Sequence, residues 1–127
     1  MSMIIDDVAN EIAENIAGLT VGTNVFKGFM PEKPDNCVQI LDTGGAEPDK
    51  ELPTGSPTFQ IMVRNKSYET GHDLMQSIVD LLHQKMNETI GDTYFYTIFL
   101  MGEPGYLERD IKGRDVWSVN FICHTRR

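Results

Sequence analysis

Few residues of this sequence combine the type and the spacing that chemistry requires. Glu69 and His72 lie three positions apart at the start of a helical pattern, which is the spacing of half a carboxylate-type metal site. The next histidine, His83, follows about three helical turns later, too far along the helix to share an ion with His72. We therefore expect a solvated, polar helix start and predict no metal site.

Nucleophilic catalysis is not indicated either. The sequence contains no GxSxG motif, and Ser56 stands between a glycine and a proline with no strand-to-helix turn around it. The two cysteines, Cys37 and Cys123, fall inside apolar runs, where a small buried thiol is the common state. The glycine pair 44–45 precedes acids and a proline, unlike the GK[ST] of a phosphate-binding loop. These patterns predict no catalytic residues and no cofactor.

Length and charge limit the number of domains and the classes of binding partner that fit this sequence. The 127 residues fit one domain, 1–127, and 40% hydrophobic residues supply enough core for it to fold without disulfides. Eleven Lys and Arg against nineteen Asp and Glu give a net charge of -8, which disfavours tight binding to nucleic acid or to anionic lipid. No apolar stretch approaches the length of a membrane span, and the acidic start is unlike a secretory leader. We expect a protein made in a reducing cytoplasm.

The first half of the chain predicts one helix and two strands. Apolar residues spaced by three and four between Ile5 and Leu19 indicate an amphipathic helix. Residues 24–30 and 36–42 are rich in β-branched and aromatic side chains and could form a hairpin. Residues 43–57 hold three Gly and three Pro, so we expect an irregular loop there.

The second half predicts a helix between strands. A strand at 58–64 precedes a helical pattern that starts near Ser67, includes Leu74, Ile78 and Leu82, and ends before Gly91. Three further strands are expected, at 93–101, 106–110 and 115–125. The order α-β-β-β-α-β-β-β indicates the α+β class, with a single mixed, mainly antiparallel sheet and two helices packed on one face.

Charge is distributed unevenly along the chain. Residues 1–63 contain three Lys or Arg and ten Asp or Glu, whereas residues 64–127 contain eight and nine. The last nineteen positions, 109–127, hold five basic and two acidic residues. Such a cluster is either ordinary solvated charge on an edge strand or part of a contact between subunits, and we rate the two about equally. Acidic and basic surfaces on one small protein permit head-to-tail association of identical copies.

Two stretches of the sequence resemble one known family. The first, FQIMVRNKSYETGHDLMQSIVDLLHQ, has a strand that ends in Arg64 and a polar turn that leads into a long helix. The second, YLERDIKGRDVWSVNFICHTRR, is similar to a closing hairpin with Asp110, Gly113 and Arg114 at its turn and Asn120 in the last strand. Both resemble bacteriophage minor capsid and tail-terminator proteins, which complete the tail and join it to the head. The likeness covers nearly the whole chain.

The resemblance implies a structural virion protein of a tailed phage or prophage, made in the bacterial host cytoplasm. It implies a ring of identical subunits, a hexamer, that ends the tail tube or lies at the head-tail joint. The partners would be other copies of the chain, the tail tube protein and head-connector proteins. No catalytic residue, cofactor, metal or membrane contact is implied.

Charge suggests where such a ring would make its contacts. DNA would pass through the ring without specific binding, and an acidic lumen would keep phosphates from adhering. We therefore hypothesise that acids of the 43–57 loop, or of the first helix, face the channel or a neighbour. We also expect basic residues of the last hairpin to contact an adjacent subunit. The acids of the loop are Glu47, Asp49 and Glu51, and the basic residues are Arg109, Lys112 and Arg114.

Two other functions fit the sequence. A small α+β enzyme or ligand-binding domain would show a concave apolar pocket with converging polar groups. A monomeric adaptor would bind a partner in one-to-one stoichiometry through an exposed edge of its sheet.

Overall fold

Two amphipathic helices and a seven-stranded sheet account for most of the residues that the computed structural model describes, 4–46 and 51–126. The helices bury their apolar stripes against the sheet because neither stripe is stable in water alone. The elements are α1 (Ile4–Asn15), β1 (Val25–Lys27), β2 (Cys37–Ala46), β3 (Thr54–Asn65), α2 (Tyr68–Leu82), β4 (Lys85–Ile90), β5 (Thr93–Leu100), β6 (Gly105–Arg109) and β7 (Asp115–Arg126).

The sheet has the strand order β1-β2-β3-β7-β5-β4, and β6 pairs with the first half of β7. β1 and β2 are parallel and all other pairs are antiparallel. β7 is the central strand, since it pairs with β3 along one side and with β5 and β6 along the other. The expected α+β class, with a mixed and mainly antiparallel sheet, is confirmed.

The core lies between one face of the sheet and both helices. Ile12 of α1 and Ile78 of α2 are fully buried in the same cluster as the inward side chains of the central strands. Phe59 and Phe121 stack across β3 and β7 with ring centroids 5.2 Å apart. Each such side chain contributes roughly 1.5–3 kcal/mol through burial, before the cost of ordering it.

The predicted hairpin of residues 24–30 and 36–42 is wrong. β1 is only three residues long and pairs with β2 in parallel, so the chain must cross back before β2 begins. Residues 31–36, named the proline loop below, make that return. Their carbonyl groups find partners on β3, which is distant in the sequence, so local propensity alone could not indicate the arrangement.

The predicted irregular loop at 43–57 is wrong at both ends. β2 continues to Ala46 and β3 starts at Thr54, so most of this glycine-rich and proline-rich stretch extends a long β-hairpin. Gly44 and Gly45 have φ values of 91° and 138°, a conformation that glycine adopts at little cost. A bulge between Asp42 and Gly44 bends the strand there.

The predicted second helix is too long. α2 ends at Leu82, and residues 85–90 form an additional strand, β4, so the order is α-β-β-β-α-β-β-β-β. Gln84 and Asn87 have φ values of 66° and 51°, which no helix can contain. Met86, which falls inside the segment predicted as helix, lies on β4 and is exposed. Pairing of β4 with β5 overrides the helical pattern of this segment.

A buried carboxylate joins α1 to the turn between β4 and β5. Asp7 is almost fully buried, and its Oδ2 accepts a hydrogen bond of 2.6 Å from the Thr93 hydroxyl. Gly91 in this turn has a φ of 59°, and a Cβ built on it would collide with the Asp7 carboxylate. The turn therefore requires glycine both for its backbone conformation and for its distance from Asp7.

We predict that Gly91→Ala lowers the free energy of unfolding by about 2–4 kcal/mol, because it adds left-handed strain and displaces Asp7. Gly102→Ala is the matched control, since no atom lies within 4 Å of its Cβ position and its φ is not positive. It should change the value by less than about 1 kcal/mol. Urea unfolding measures both, and equal losses would contradict this role of Gly91.

Candidate functional site

Arg64 organises the proline loop (residues 31–36) from the end of β3. Its side chain is only 5% exposed and donates to backbone carbonyls: Nε to Asp35 at 3.0 Å, and Nη2 to Pro31 and Pro34 at 2.7 Å each. A guanidinium can do this because its five N–H groups point outward in a fixed plane. The loop therefore folds around a buried positive charge.

Arg114, 4% exposed, reaches the same loop from the turn between β6 and β7. Its Nη1 donates to the Glu32 carbonyl at 2.7 Å and its Nε donates to Asp110 Oδ2 at 2.7 Å. Asp110 also accepts from the backbone N–H groups of Lys112, at 2.9 Å, and Arg114, at 3.0 Å. The turn of residues 110–114, named the hairpin tip below, is thus fixed internally and tied to the proline loop.

A second buried acid supports the base of the hairpin tip. Asp115 is fully buried and accepts from the Tyr106 hydroxyl at 2.7 Å. Arg109 donates to both of its oxygens, with Nε at 3.0 Å and Nη2 at 3.1 Å. This paired, planar contact is the strongest form of a carboxylate–arginine bond.

The carboxylates around the hairpin tip have lowered pKa values. The hydrogen bond from Arg109 lowers the pKa of Asp115, and the backbone N–H of Arg114 lowers that of Asp110. Lys112 lowers the pKa of Glu32 through its side-chain contact. Burial opposes the effect at Asp35, where the hydrogen bond and charge of Lys66, with Arg114, still bring the pKa below its ordinary value. The region is a network of ionised groups at neutral pH.

The structure brings together the three predicted basic residues but gives them different surroundings. Arg109 and Lys112 keep more than half of their side chains exposed, although Arg109 holds Asp115 and Lys112 pairs with Glu32. Arg114 is buried and serves its own subunit. Glu51 lies exposed between β2 and β3, in the other long hairpin. Glu47 and Asp49 lie outside the described residues.

Sequence reasoning missed Arg64, Asp115 and Tyr106 as members of this network. One signal was available for the first two residues. Arg64 ends an apolar strand and Asp115 begins one, positions at which an isolated charge needs a fixed partner if it is buried. Their partners come from segments distant in sequence, which the chain order does not reveal.

Ile111 stands at the end of the hairpin tip and is fully exposed. The residues around it are held by Asp110 and Arg114, and Gly113 takes the positive φ of 77° that closes the turn. A large aliphatic side chain in a fixed turn, with no contact in its own subunit, has the properties of an interface anchor.

The face of the sheet opposite the helices is bare and carries little charge. Among the described residues of its four central strands, beyond the end that the proline loop covers, the ionic side chain is Arg126 at the end of β7, whose guanidinium lies 4.6 Å from the centroid of the Tyr94 ring. Alternation and strand register place Leu41, Met62, Ile122 and Phe99 on this face, all half-buried. The polar members are amides, hydroxyls and one imidazole: Gln39, Thr43, Thr58, Gln60, Thr97, Ser118, Asn120 and His124. Depletion of charge is characteristic of the centre of a protein interface.

A groove of about 530 Å³ lies on the bare face where the β5–β6 connection meets the central strands. Thr43 and Thr58 form one wall, with their hydroxyls 2.6 Å apart, and Asn120 lies in the floor. The other wall is residues 101–105, in which Glu103 supplies the one charge of the lining.

Chemistry within the described residues offers no competing centre. Ser56 Oγ lies 3.3 Å from His124 Nδ1, and the same imidazole contacts the Tyr96 ring, whereas a catalytic triad would need a carboxylate in a position to orient it. Burial raises the pKa of Cys123 to about 12 and also raises that of Cys37. No group of three metal-ligating side chains occurs in residues 4–46 and 51–126, and no helix there is long and apolar enough to cross a membrane.

Comparison with known proteins decides the family. Residues 13–127 match the sequence model of a family described as bacteriophage tail terminator proteins. The chain belongs to this family. The predicted resemblance is therefore confirmed, and the protein is a structural component of a phage-type virion tail. A search of curated proteins finds no match.

A solved structure supports the fold of this tail terminator. The chain is similar to one from the virion of a native gene transfer agent particle, with a TM-score of 0.64 and 14% identity. The alignment covers 94% of this chain and 84% of that one. At this identity the similarity establishes the fold.

We predict that Arg64→Lys lowers the free energy of unfolding by about 2–4 kcal/mol, because one ammonium group cannot serve the spread carbonyls of the proline loop. Lys66→Ala is the control: its ion pair with Asp35 is largely exposed and should contribute less than about 1 kcal/mol. Chemical denaturation of both variants measures the difference. A loss for Arg64→Lys no larger than that for Lys66→Ala would contradict the clamp.

The lowered carboxylate pKa values predict acid sensitivity. A carboxylate whose pKa is lower in the folded chain than its ordinary 3.8 or 4.5 stabilises the fold above that ordinary value. This stability is lost as the pH falls through the lowered pKa. We expect the free energy of unfolding to decline below about pH 4.5, and Asp115→Asn to decline less steeply. Urea titrations between pH 7 and pH 3 measure the slopes, and identical slopes would contradict the assignment.

Proposed function

We propose that six copies of this chain form a closed ring that ends the tail tube and joins it to the head connector. The observation that carries the proposal is the match to the tail terminator family over residues 13–127. The similar solved chain comes from the virion of a gene transfer agent particle, which agrees with a place in a virion.

The two sides of the sheet give a physical reason for self-association. Helices cover one face, whereas the other presents half-buried apolar groups among uncharged polar groups. Exposure of that face to water is unfavourable, because the apolar side chains of Leu41, Met62 and Ile122 stay partly exposed in the isolated subunit. Contact with other copies would bury these groups, while the ionic side chains of this side, Arg126 at the end of β7 and Glu103 at the groove, lie at its margin.

Net charge supports a role around DNA without binding to it. A subunit of charge -8 repels phosphate, and a ring of six such subunits repels it more strongly. We propose that Glu47, Asp49 and Glu51, which lie between β2 and β3 in the sequence, face the channel or the neighbouring subunit. DNA would pass through a lumen that does not hold it, with no specific nucleic-acid contact.

The basic residues of the hairpin tip take two roles in this proposal. Arg109 and Lys112 have exposed charge that a neighbouring subunit can contact. Arg114 acts from inside, since its buried guanidinium holds the tip that presents them. Reversal of the Arg114 charge would thus test folding as well as assembly, whereas Lys112 tests assembly with less disturbance.

The remaining partners follow from the position of the ring. One rim would contact the tail tube protein and stop its growth, and the other would receive head-connector proteins. Each contact with a partner would stabilise the folded subunit in the assembled particle.

We predict that a phage or prophage that lacks this chain produces tails of irregular length and heads without tails. Supply of the chain from a plasmid should restore joined particles and infectivity. Negative-stain electron microscopy measures tail length and joining, and plaque counts measure infectivity. The control is the same plasmid with a stop codon early in the gene, which should restore neither. Joined tails of normal length without the chain would contradict the proposed function.

A further inference from the structure

The conformation of the hairpin tip is fixed by more side-chain hydrogen bonds than an exposed turn requires to be stable. Asp110 accepts two backbone N–H groups, Arg114 is anchored on the proline loop, and Asp115 is held by Tyr106 and Arg109. All of these contacts fix a turn whose largest apolar side chain, Ile111, contacts solvent. A fixed conformation lowers the entropy that binding must otherwise remove.

The groove on the bare face has the opposite character. It is open, and apart from Met101 and Glu103 its lining is small or uncharged, with Ser118 and Asn120 of β7 at its floor. Met101 on its rim is more than half exposed. Glu103 supplies negative charge at the same rim. The groove can therefore receive an aliphatic side chain, with an adjacent cationic side chain paired to Glu103.

We propose that the hairpin tip of one subunit inserts Ile111 into the groove of the next copy, with Lys112 meeting Glu103. This inference rests on the proposed function, because it identifies the contact that builds the ring. The hairpin tip and the groove are different surfaces of one chain, so the contact is head-to-tail and can repeat around a closed ring. A single copy cannot satisfy itself, since Ile111 is fully exposed in its own subunit.

A second copy fits the groove better than the tail tube protein does, because both complementary parts are present on this chain. Lys112 follows Ile111 directly, so insertion of Ile111 into the groove would bring the Lys112 charge close to Glu103 at its rim. Lys112 can exchange its exposed partner Glu32 for Glu103, since both carboxylates lie at the surface. Arg114 keeps the tip in place during this exchange.

Paired cysteines test the contact directly. We expect the double variant Ile111→Cys with Asn120→Cys to give, on mild oxidation, a ladder of covalent multimers that ends at the ring size. The native thiols do not interfere, because Cys37 and Cys123 are buried. The matched control is Ile111→Cys with Met86→Cys, which places the second thiol on the exposed β4 edge outside the groove.

The oxidation is carried out on purified protein at high concentration and on tails isolated from particles, with the assembled mass measured by light scattering. A ladder from the groove pair, absent from the control, supports the contact. Multimers of ring mass without a ladder above the control overturn the contact and leave the ring standing. A monomeric mass in solution together with no ladder on tails overturns both, and a disulfide to the tube protein alone overturns the choice of occupant.

Charge reversal provides an independent arm. Lys112→Glu should weaken subunit association by about tenfold or more, and addition of Glu103→Lys should restore most of it. Ile111→Ser should weaken association by about tenfold to a hundredfold. Sedimentation analysis measures the association constants, and failure of the double reversal to recover affinity would overturn the pairing of Lys112 with Glu103.

Discussion

Two buried arginines determine the conformation of the proline loop and the hairpin tip. Arg64 and Arg114 approach the proline loop from β3 and from the hairpin tip, and both donate to its backbone carbonyls. Burial of two positive charges is costly unless their donors are well paired. The carbonyl groups of the loop accept hydrogen bonds from these donors. The same hydrogen bonds hold the loop in the position that allows β1 to run parallel to β2. The parallel pair and the fixed hairpin tip depend on the same contacts.

The sheet separates structural and assembly roles by face. Apolar side chains on the helix side form the core, and mostly uncharged side chains, with Arg126 at the end of β7, lie on the other side. The buried charges join elements together from other places: Asp7 from α1, Arg64 and Asp115 from the ends of strands, and Arg114 from the hairpin tip. A structural virion protein benefits from this division, since its surface can complement neighbouring subunits without weakening its own core.

The sequence predicted the class, the family and most strands because these depend on local pattern. Periodicity located α1 and the start of α2, and alternation in residues 115–125 indicated which side of β7 is buried. It failed where long-range pairing overrides local preference. β4 looked helical until β5 paired with it, and Gly44 and Gly45 suggested a loop where they allow a bent strand. Arg114 looked like surface charge because its partners Glu32 and Asp35 are distant in sequence.

We propose that this chain acts by contact with copies of itself at the head-proximal end of the tail. Cryo-electron microscopy of intact particles measures this most directly. We predict a closed ring of the chain between tube and connector, with the bare sheet face of each subunit covered by its neighbour. A single copy at that position, or a ring in which the bare face remains open to solvent, would contradict the account.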